Sequence, residues 1–151
     1  MTRFEVMKIH PGRGEWVDEL VEVLHAAYRV EAALLGVDDF PPLRQGKEQI
    51  RRSPDTWMAA VCGSRVAGVI SYERNGSVLT ITRLAVHPDF FRRGVASSLL
   101  EEVLGHPGIT RFEVSTGMKN GPAIRCYRKY GFRTKKIWGK DGILLIGLER
   151  E

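Results

Sequence analysis

The spacing of apolar residues along this chain changes repeatedly, and each change marks an element. Over residues 4–9 charged and apolar positions alternate with the two-residue period of a strand, which Pro11, Gly12 and Gly14 end. Over 16–35 the period is 3.6. Val17, Leu20, Val21, Leu24, Ala27 and Tyr28 share one helix face, and Gly36 stands where a helix stops. Asp38, Asp39, Phe40, Pro41 and Pro42 carry loop chemistry, and a short second helix is predicted over 45–52, ahead of Pro54. Strands are predicted over 57–62 and 65–73, with Gly63-Ser64 as a two-residue hairpin turn. Asn75-Gly76 is the strongest hairpin signal and leads into a strand over 79–86.

The stretch 79–104, LTITRLAVHPDFFRRGVASSLLEEVL, organises the rest. Its strand is broken by His87-Pro88-Asp89, because proline lacks an N–H and restricts the residue before it. Phe91-Arg92-Arg93-Gly94 is a short basic loop. From Val95 the period becomes 3.6, with Ala96, Leu99, Leu100, Val103 and Leu104 on one face, and the helix ends near Gly105. A helix N-terminus presents unpaired N–H groups and roughly half a positive charge. Gly94 lets that backbone approach a ligand, and Arg92 and Arg93 add charge, so the unit suits an anion, phosphate above all. It is neither a Walker loop, which needs Lys-Ser/Thr after its last glycine, nor a three-glycine dinucleotide fingerprint. By spacing alone it is equally an ordinary strand-turn-helix with a solvated basic turn.

A further strand is predicted over 110–116, with Phe112 and Val114 on one face. Asn120 can cap the next helix, which tolerates Pro122 in its first turn and ends at Gly131. Strands over 132–138 and 143–148 form a final hairpin across 139–142. There are no internal repeats or linkers, and a single domain over 1–151 with a mixed α/β sheet is expected.

Composition narrows the partners. The chain has 151 residues, 43% hydrophobic and 27% charged, in line with a soluble domain with a sizeable core. No run of apolar residues is long enough for a membrane span. The first ten residues lack the apolar centre of a signal peptide, so a cytoplasmic location is expected. Cys62 and Cys126 have neither metal-ligand spacing nor a disulfide framework, and are expected to be reduced and partly buried; the four histidines add no metal cluster. A net charge of +5 suits a polyphosphate cofactor or nucleic acid. The basic residues form small clusters at 51–52, 92–93, 125–129 and 133–136 rather than one dense arm, which disfavours nucleic acid.

LAVHPDFFRRGVASSLL resembles the acetyl-CoA motif of the GNAT N-acetyltransferase superfamily. Gly94 and Ala96 fill its last two fixed positions, whereas Phe91 stands where the family usually has Gln or Arg. A second block, residues 120–132, resembles the family's Asn-x-x-Ala-x-x-x-Tyr-x-x-x-Gly-Phe signature through Asn120, Ala123, Tyr127, Gly131 and Phe132. The resemblance implies the GNAT fold, order β-α-α-β-β-β-α-β-α-β-β, with acetyl-CoA as cosubstrate and no metal. It implies that Arg92, Arg93, Gly94, Val95, Ala96 and Ser97 cradle the pyrophosphate. Leu84, Ala85 and Val86 would run beside the pantetheine arm, in a gap left where the following strand splays away. The Val86 N–H would donate to the thioester carbonyl. Asn120 would contact the cofactor as well as cap its helix.

Tyr127 is implied as both a cofactor contact and the general acid. A phenol of pKa about 10 can protonate a thiolate of similar basicity. By spacing alone Tyr127 is also a core residue, since Ala123, Tyr127 and Tyr130 share a face. For the general base the residues leave several choices. Many family members carry Glu or Asp on the organising strand, but this chain has Thr80, Thr82, Arg83 and Leu84 there. Glu31, Asp38, Asp39, Glu73 and Glu113 are the candidates, acting through water. The region 28–43 is the implied acceptor site, and Tyr28, Glu31, Asp38, Asp39 and Phe40 would give an acidic, partly aromatic mouth for a small amine. The readings beside that one are a protein N-terminal or lysine acetyltransferase and a non-catalytic acyl-CoA-binding module. A homodimer through the apolar run 143–146 is open.

Overall fold

A computed structural model describes residues 4–151. Its strands are β1 (Glu5–Ile9), β2 (Thr56–Cys62), β3 (Arg65–Asn75), β4 (Val78–Val86), β5 (Arg111–Gly117), β6 (Arg133–Lys140) and β7 (Ile143–Arg150). Its α-helices are α1 (Val17–Leu35), α2 (Lys47–Arg52), α3 (Val95–Leu104) and α4 (Gly121–Lys129). The strands form one sheet in the order β1-β2-β3-β4-β5-β7-β6. Only β4 and β5 run parallel, joined by the crossover through α3; every other pair is antiparallel. This is the mixed sheet expected from the sequence.

The two faces of the sheet are covered separately. On β2, Trp57, Ala59 and Val61 point to α1 and α2, where Leu20, Val23, Leu24 and Ile50 meet them. Met58 and Ala60 point to the opposite face, with Leu99, Leu100 and Val103 of α3. Tyr127 and Phe132 close that second layer over Val114, Ile146 and Leu148. The first turn of α3 lies directly on β3, because Gly68 leaves room for it: a Cβ there would stand 2.6 Å from Val95 Cγ1.

The structure corrects several boundaries. Trp16 is not in α1 but precedes it in a left-handed conformation, φ 57°. The second helix starts at Lys47 rather than 45, after a 3-10 turn over Pro41–Arg44, and the Gly46 N–H donates to Gln49 Oε1 at 2.9 Å. The last hairpin turns at Asp141-Gly142 alone (φ 52° and 77°), with β6 continuing to Lys140, where a longer loop over 139–142 was expected. Asp-Gly is a preferred two-residue turn, so the signal was present. The apolar run 143–146 divides by alternation: Ile146 is core, whereas Leu144 is exposed.

One irregularity positions the site. Ser71 pairs with Arg83 and Tyr72 with Ile81, so Thr82 is an extra residue on β4. The β4–β5 ladder ends at that point, with Ile81 opposite Val114. A bulge bends its strand and reverses the side-chain alternation beyond it. Beyond Thr82, β4 stays with β3 through Val86, while β5 stays with β7 through Gly117. A gap opens between the two.

Candidate active site

The gap is the floor of a cavity of about 340 Å3, walled by α1, β4, β5 and α4 and roofed by Phe40, Pro41 and the β6–β7 turn. Tyr28, Glu31 and Leu35 project into it from successive turns of α1, the i, i+3, i+7 spacing of one helix stripe. Gly117 lets α1 close the end of the cavity, because a Cβ there would stand 2.4 Å from Leu35 Cδ2.

Of the cofactor-binding and general-acid residues proposed from sequence, Leu84, Asn120 and Tyr127 line this cavity. Tyr127 is buried, 4% exposed, with its ring tilted against Phe132 at 5.6 Å between centroids. Burial pushes its phenol well above the ordinary tyrosine range, and the neighbouring Cys126 and Glu31 add to the shift. The hydroxyl therefore keeps its proton at any physiological pH. Asn120 caps α4, accepting from the Ala123 N–H at 3.4 Å, while its amide donates to Thr116 Oγ1 at 3.3 Å.

The remaining proposed residues lie further along β4 and at the start of α3. Ala85 is buried against the α1 face and Val86 is half-buried. The His87 N–H donates to Ala67 O on β3 at 2.9 Å. Successive N–H groups of a strand point to opposite edges, so the Val86 N–H, and by the same alternation the Leu84 N–H, face the gap rather than β3. Arg92 and Gly94 both adopt left-handed conformations, φ 63° and 76°, and turn the chain into α3. Gly94 is the N-cap and offers no side chain to the helix, whose first i to i−4 bond runs from Ser98 N to Gly94 O. The N–H groups of Val95, Ala96 and Ser97 precede that bond and point out of the helix end. The Val95 side chain itself is core. Arg92 is exposed, and the Arg93 guanidinium lies over the Phe90 ring at 5.5 Å. A diphosphate on these N–H groups and a thioester arm along the gap both fit this arrangement.

The acidic mouth expected over 28–43 is only partly formed. Tyr28, Glu31 and Phe40 line the cavity, but Asp38 and Asp39 do not; Asp38 is exposed and Asp39 pairs with Arg44. The 3-10 turn at Pro41 and Pro42 brings the ring of Phe40 inward and leaves these carboxylates in solvent. Glu73 is exposed near the end of β3, and Glu113 pairs with Arg111 and Lys135 at 3.0 and 3.3 Å. Burial raises the Glu31 carboxyl, with the Asn120 amide opposing as a hydrogen-bond donor. Tyr28 is pushed up to about 12, chiefly by burial, with the Arg83 guanidinium opposing and the Glu31 charge adding.

At the cavity wall lies a polar cluster, largely buried at Asp55 and Arg83 and exposed at Thr82, that the sequence does not predict. Arg83 Nη1 donates to Asp55 Oδ2 at 3.1 Å and to Ser71 Oγ at 3.2 Å, and Thr82 Oγ1 donates to the same Asp55 oxygen at 2.6 Å. The guanidinium also lies over the Trp57 ring at 4.8 Å. The reversal at Thr82 turns Arg83 to the α1 face. Nothing in the local sequence announces that bulge.

Residues 17–132 match the model of the acetyltransferase (GNAT) family. The chain is 36% identical over 129 residues to UPF0157 protein YqkA of Bacillus subtilis (strain 168). That match covers 84% of this chain but only 38% of YqkA, so the chain spans little more than a third of that relative's length. The fold is similar to the PaiA N-acetyltransferase of Thermoplasma acidophilum in complex with coenzyme A, with TM-score 0.76 and 19% identity over 95% of this chain and 97% of that one. It is equally similar to the ribosomal-protein-S18-alanine N-acetyltransferase of Escherichia coli, with TM-score 0.76 and 14% identity over 97% and 92%. The chain belongs to the GNAT acetyltransferase family, whose cosubstrate is acetyl-CoA.

Proposed function

We propose that this chain transfers the acetyl group of acetyl-CoA to the primary amine of a small molecule, by direct attack within a ternary complex. The observation that carries the reading is the cavity itself: the gap-facing part of β4, Tyr127 and Glu31 line one partly open cavity of about 340 Å3. That volume lies at the low end for ligand pockets. Phe40, Pro41 and Asp141 also line the cavity, and its size favours a small acceptor over a folded protein's chain.

Acetyl-CoA supplies the acetyl group already activated as a thioester. The residues of the chain do the rest. The N–H groups of residues 95–97 and the positive end of α3 hold the diphosphate, with Arg92 and Arg93 adding charge. The Leu84 and Val86 N–H groups hold the arm in the gap, and the Val86 N–H polarises the carbonyl. Tyr127 holds the proton that the departing sulfur needs. Its raised affinity for that proton does not disqualify it, since burial disfavours the thiolate and the phenolate alike.

The test is thiol release from acetyl-CoA across ethanolamine, putrescine, glycinamide and a short peptide. Release with one or more of the small amines is expected. Coenzyme A binding without release on any amine favours a non-catalytic binding module, and preference for the peptide by ~10-fold or more favours a protein acetyltransferase.

A further inference from the structure

We infer that the Glu31 carboxylate accepts the proton of the acceptor amine, an inference that rests on the acetyl-transfer reading above. An alkyl ammonium of pKa about 10.4 is neutral in only ~1 molecule per thousand at pH 7, so direct attack needs a proton acceptor beside the nitrogen. In this fold β4 cannot supply one, because Thr82 and Arg83 occupy its cavity-facing part. The structure places the other candidate carboxylates elsewhere. Asp38 and Glu73 are in solvent, Asp39 is paired with Arg44, Glu113 with Arg111 and Lys135, and Asp55 with Arg83. Asp141 reaches only the exposed rim.

Glu31 differs from all of these. It is half-buried on the cavity wall, one helical turn from Tyr28, and no Lys, Arg or His pairs with it among the described residues. The charged and titratable groups that share its space are Tyr28 on α1, Arg83 on β4, Tyr127 on α4, and Lys140 and Asp141 at the hairpin turn. Arg83 is compensated by Asp55 at 3.1 Å, and Tyr28 and Tyr127 are neutral. Among the described residues, Glu31 is thus the one half-buried carboxylate of the wall without an ion-pair partner. An ammonium group supplies the compensation, and its proton is the one Glu31 takes. The Asn120 amide, a donor to Glu31, helps to fix the carboxylate without neutralising it.

Glu31 takes one proton from the ammonium and later releases it to solvent. The nitrogen lone pair so freed forms the C–N bond to the acetyl carbon as the C–S bond breaks. Tyr127 gives its hydroxyl proton to the departing sulfur and recovers one from the newly acylated nitrogen, so protons and electron pairs balance. Its second role follows from placement: it lines the same cavity as Glu31, and its phenol feels the Glu31 charge.

Two measurements decide it. The first is carboxyl-carbon NMR titration of Glu31 in the full chain, assigned by its disappearance in Glu31→Gln. The second is the pH profile of kcat/KM for thiol release with the best amine of the panel, for wild type and Glu31→Gln. The expected result is a loss of ~10²-fold or more at neutral pH in Glu31→Gln, with coenzyme A affinity unchanged. The acid limb of the wild-type profile should coincide with the NMR titration and vanish in the variant. A variant within threefold of wild type that keeps its limb overturns the role of Glu31 alone. If Glu31→Gln no longer binds coenzyme A, the wild-type limb decides: a limb that does not coincide with the Glu31 titration overturns the inference. Absence of thiol release by wild type with every amine overturns the parent reading and the step with it.

Discussion

The end of α3 and the cavity beneath α1 face the same gap but are built on opposite principles. The α3 end is open to solvent, positive and made largely of backbone: N–H groups of residues 95–97, a glycine cap, an exposed Arg92 and an Arg93 stacked on Phe90. The cavity is partly open, carries the Glu31 carboxyl on its wall and is lined by side chains from α1, β4, α4 and the last hairpin. Backbone donors give affinity for an anion in water at little cost to the fold. Side chains held out of water have their proton affinities moved, as Tyr28, Glu31 and Tyr127 do here, and proton transfer depends on that. On the proposed reading, binding and chemistry fall to different kinds of structure.

Changes to the cavity should disturb stability and turnover, and changes at the α3 end should disturb coenzyme A affinity. The largest effect is expected in the polar cluster at the cavity wall. Asp55 and Arg83 are 8% and 14% exposed, so Asp55→Ala leaves a buried guanidinium without its partner and should cost about 3–5 kcal/mol in urea unfolding. A cost below about 1 kcal/mol, the scale of a surface pair, would remove the buried charge from the contrast. Next comes Tyr127→Phe, which keeps the ring against Phe132 and removes only the hydroxyl. Thiol release should fall by ~10²-fold or more while coenzyme A binding measured by calorimetry stays put.

Gly94→Val probes the other region. Gly94 sits at φ 76° with nothing within 4 Å of the place a Cβ would take, so the strain is purely that of the backbone, about 1–2 kcal/mol. Coenzyme A affinity should weaken by ~10-fold, with kcat at saturating acetyl-CoA nearly intact. A fall in kcat instead would merge the two regions. The smallest effect concerns stability and pH. The folded Glu31 carboxyl lies above its ordinary value of 4.5, so the wild-type protein loses stability as pH rises through the folded value. Glu31→Gln does not titrate. Its melting temperature should exceed that of wild type at pH 7, and the advantage should disappear as pH falls below the ordinary carboxylate range. An advantage that persists at low pH would mean that packing, not charge, separates the two proteins.

Legibility in the sequence follows the same division. The α3 end lies within one contiguous stretch, and every feature that shapes it is local: the proline break, the basic loop, the glycine and the change of period at Val95. Tyr127 and Asn120 are legible through a motif on one helix, although spacing alone leaves Tyr127 equally a core residue. Glu31 is one of several carboxylates in the sequence, and only its position on α1 next to Tyr28 and Leu35 distinguishes it. Asp38 and Asp39 are expected beside it because they are near in sequence; the turn at Pro41 and Pro42 sends them to solvent.

By itself the sequence determined the elements, their order, the family and the glycine-capped basic turn at the start of α3, because periodicity, caps and turn residues act over a few neighbours. The tertiary structure alone decided the chemistry of the cavity. A single extra residue at Thr82 ends the β4–β5 ladder, opens the gap and turns Arg83 onto Asp55 and Trp57. Register and burial depend on partners far away in the chain, and a proton affinity is set by burial, so neither can be read from the residue that carries it.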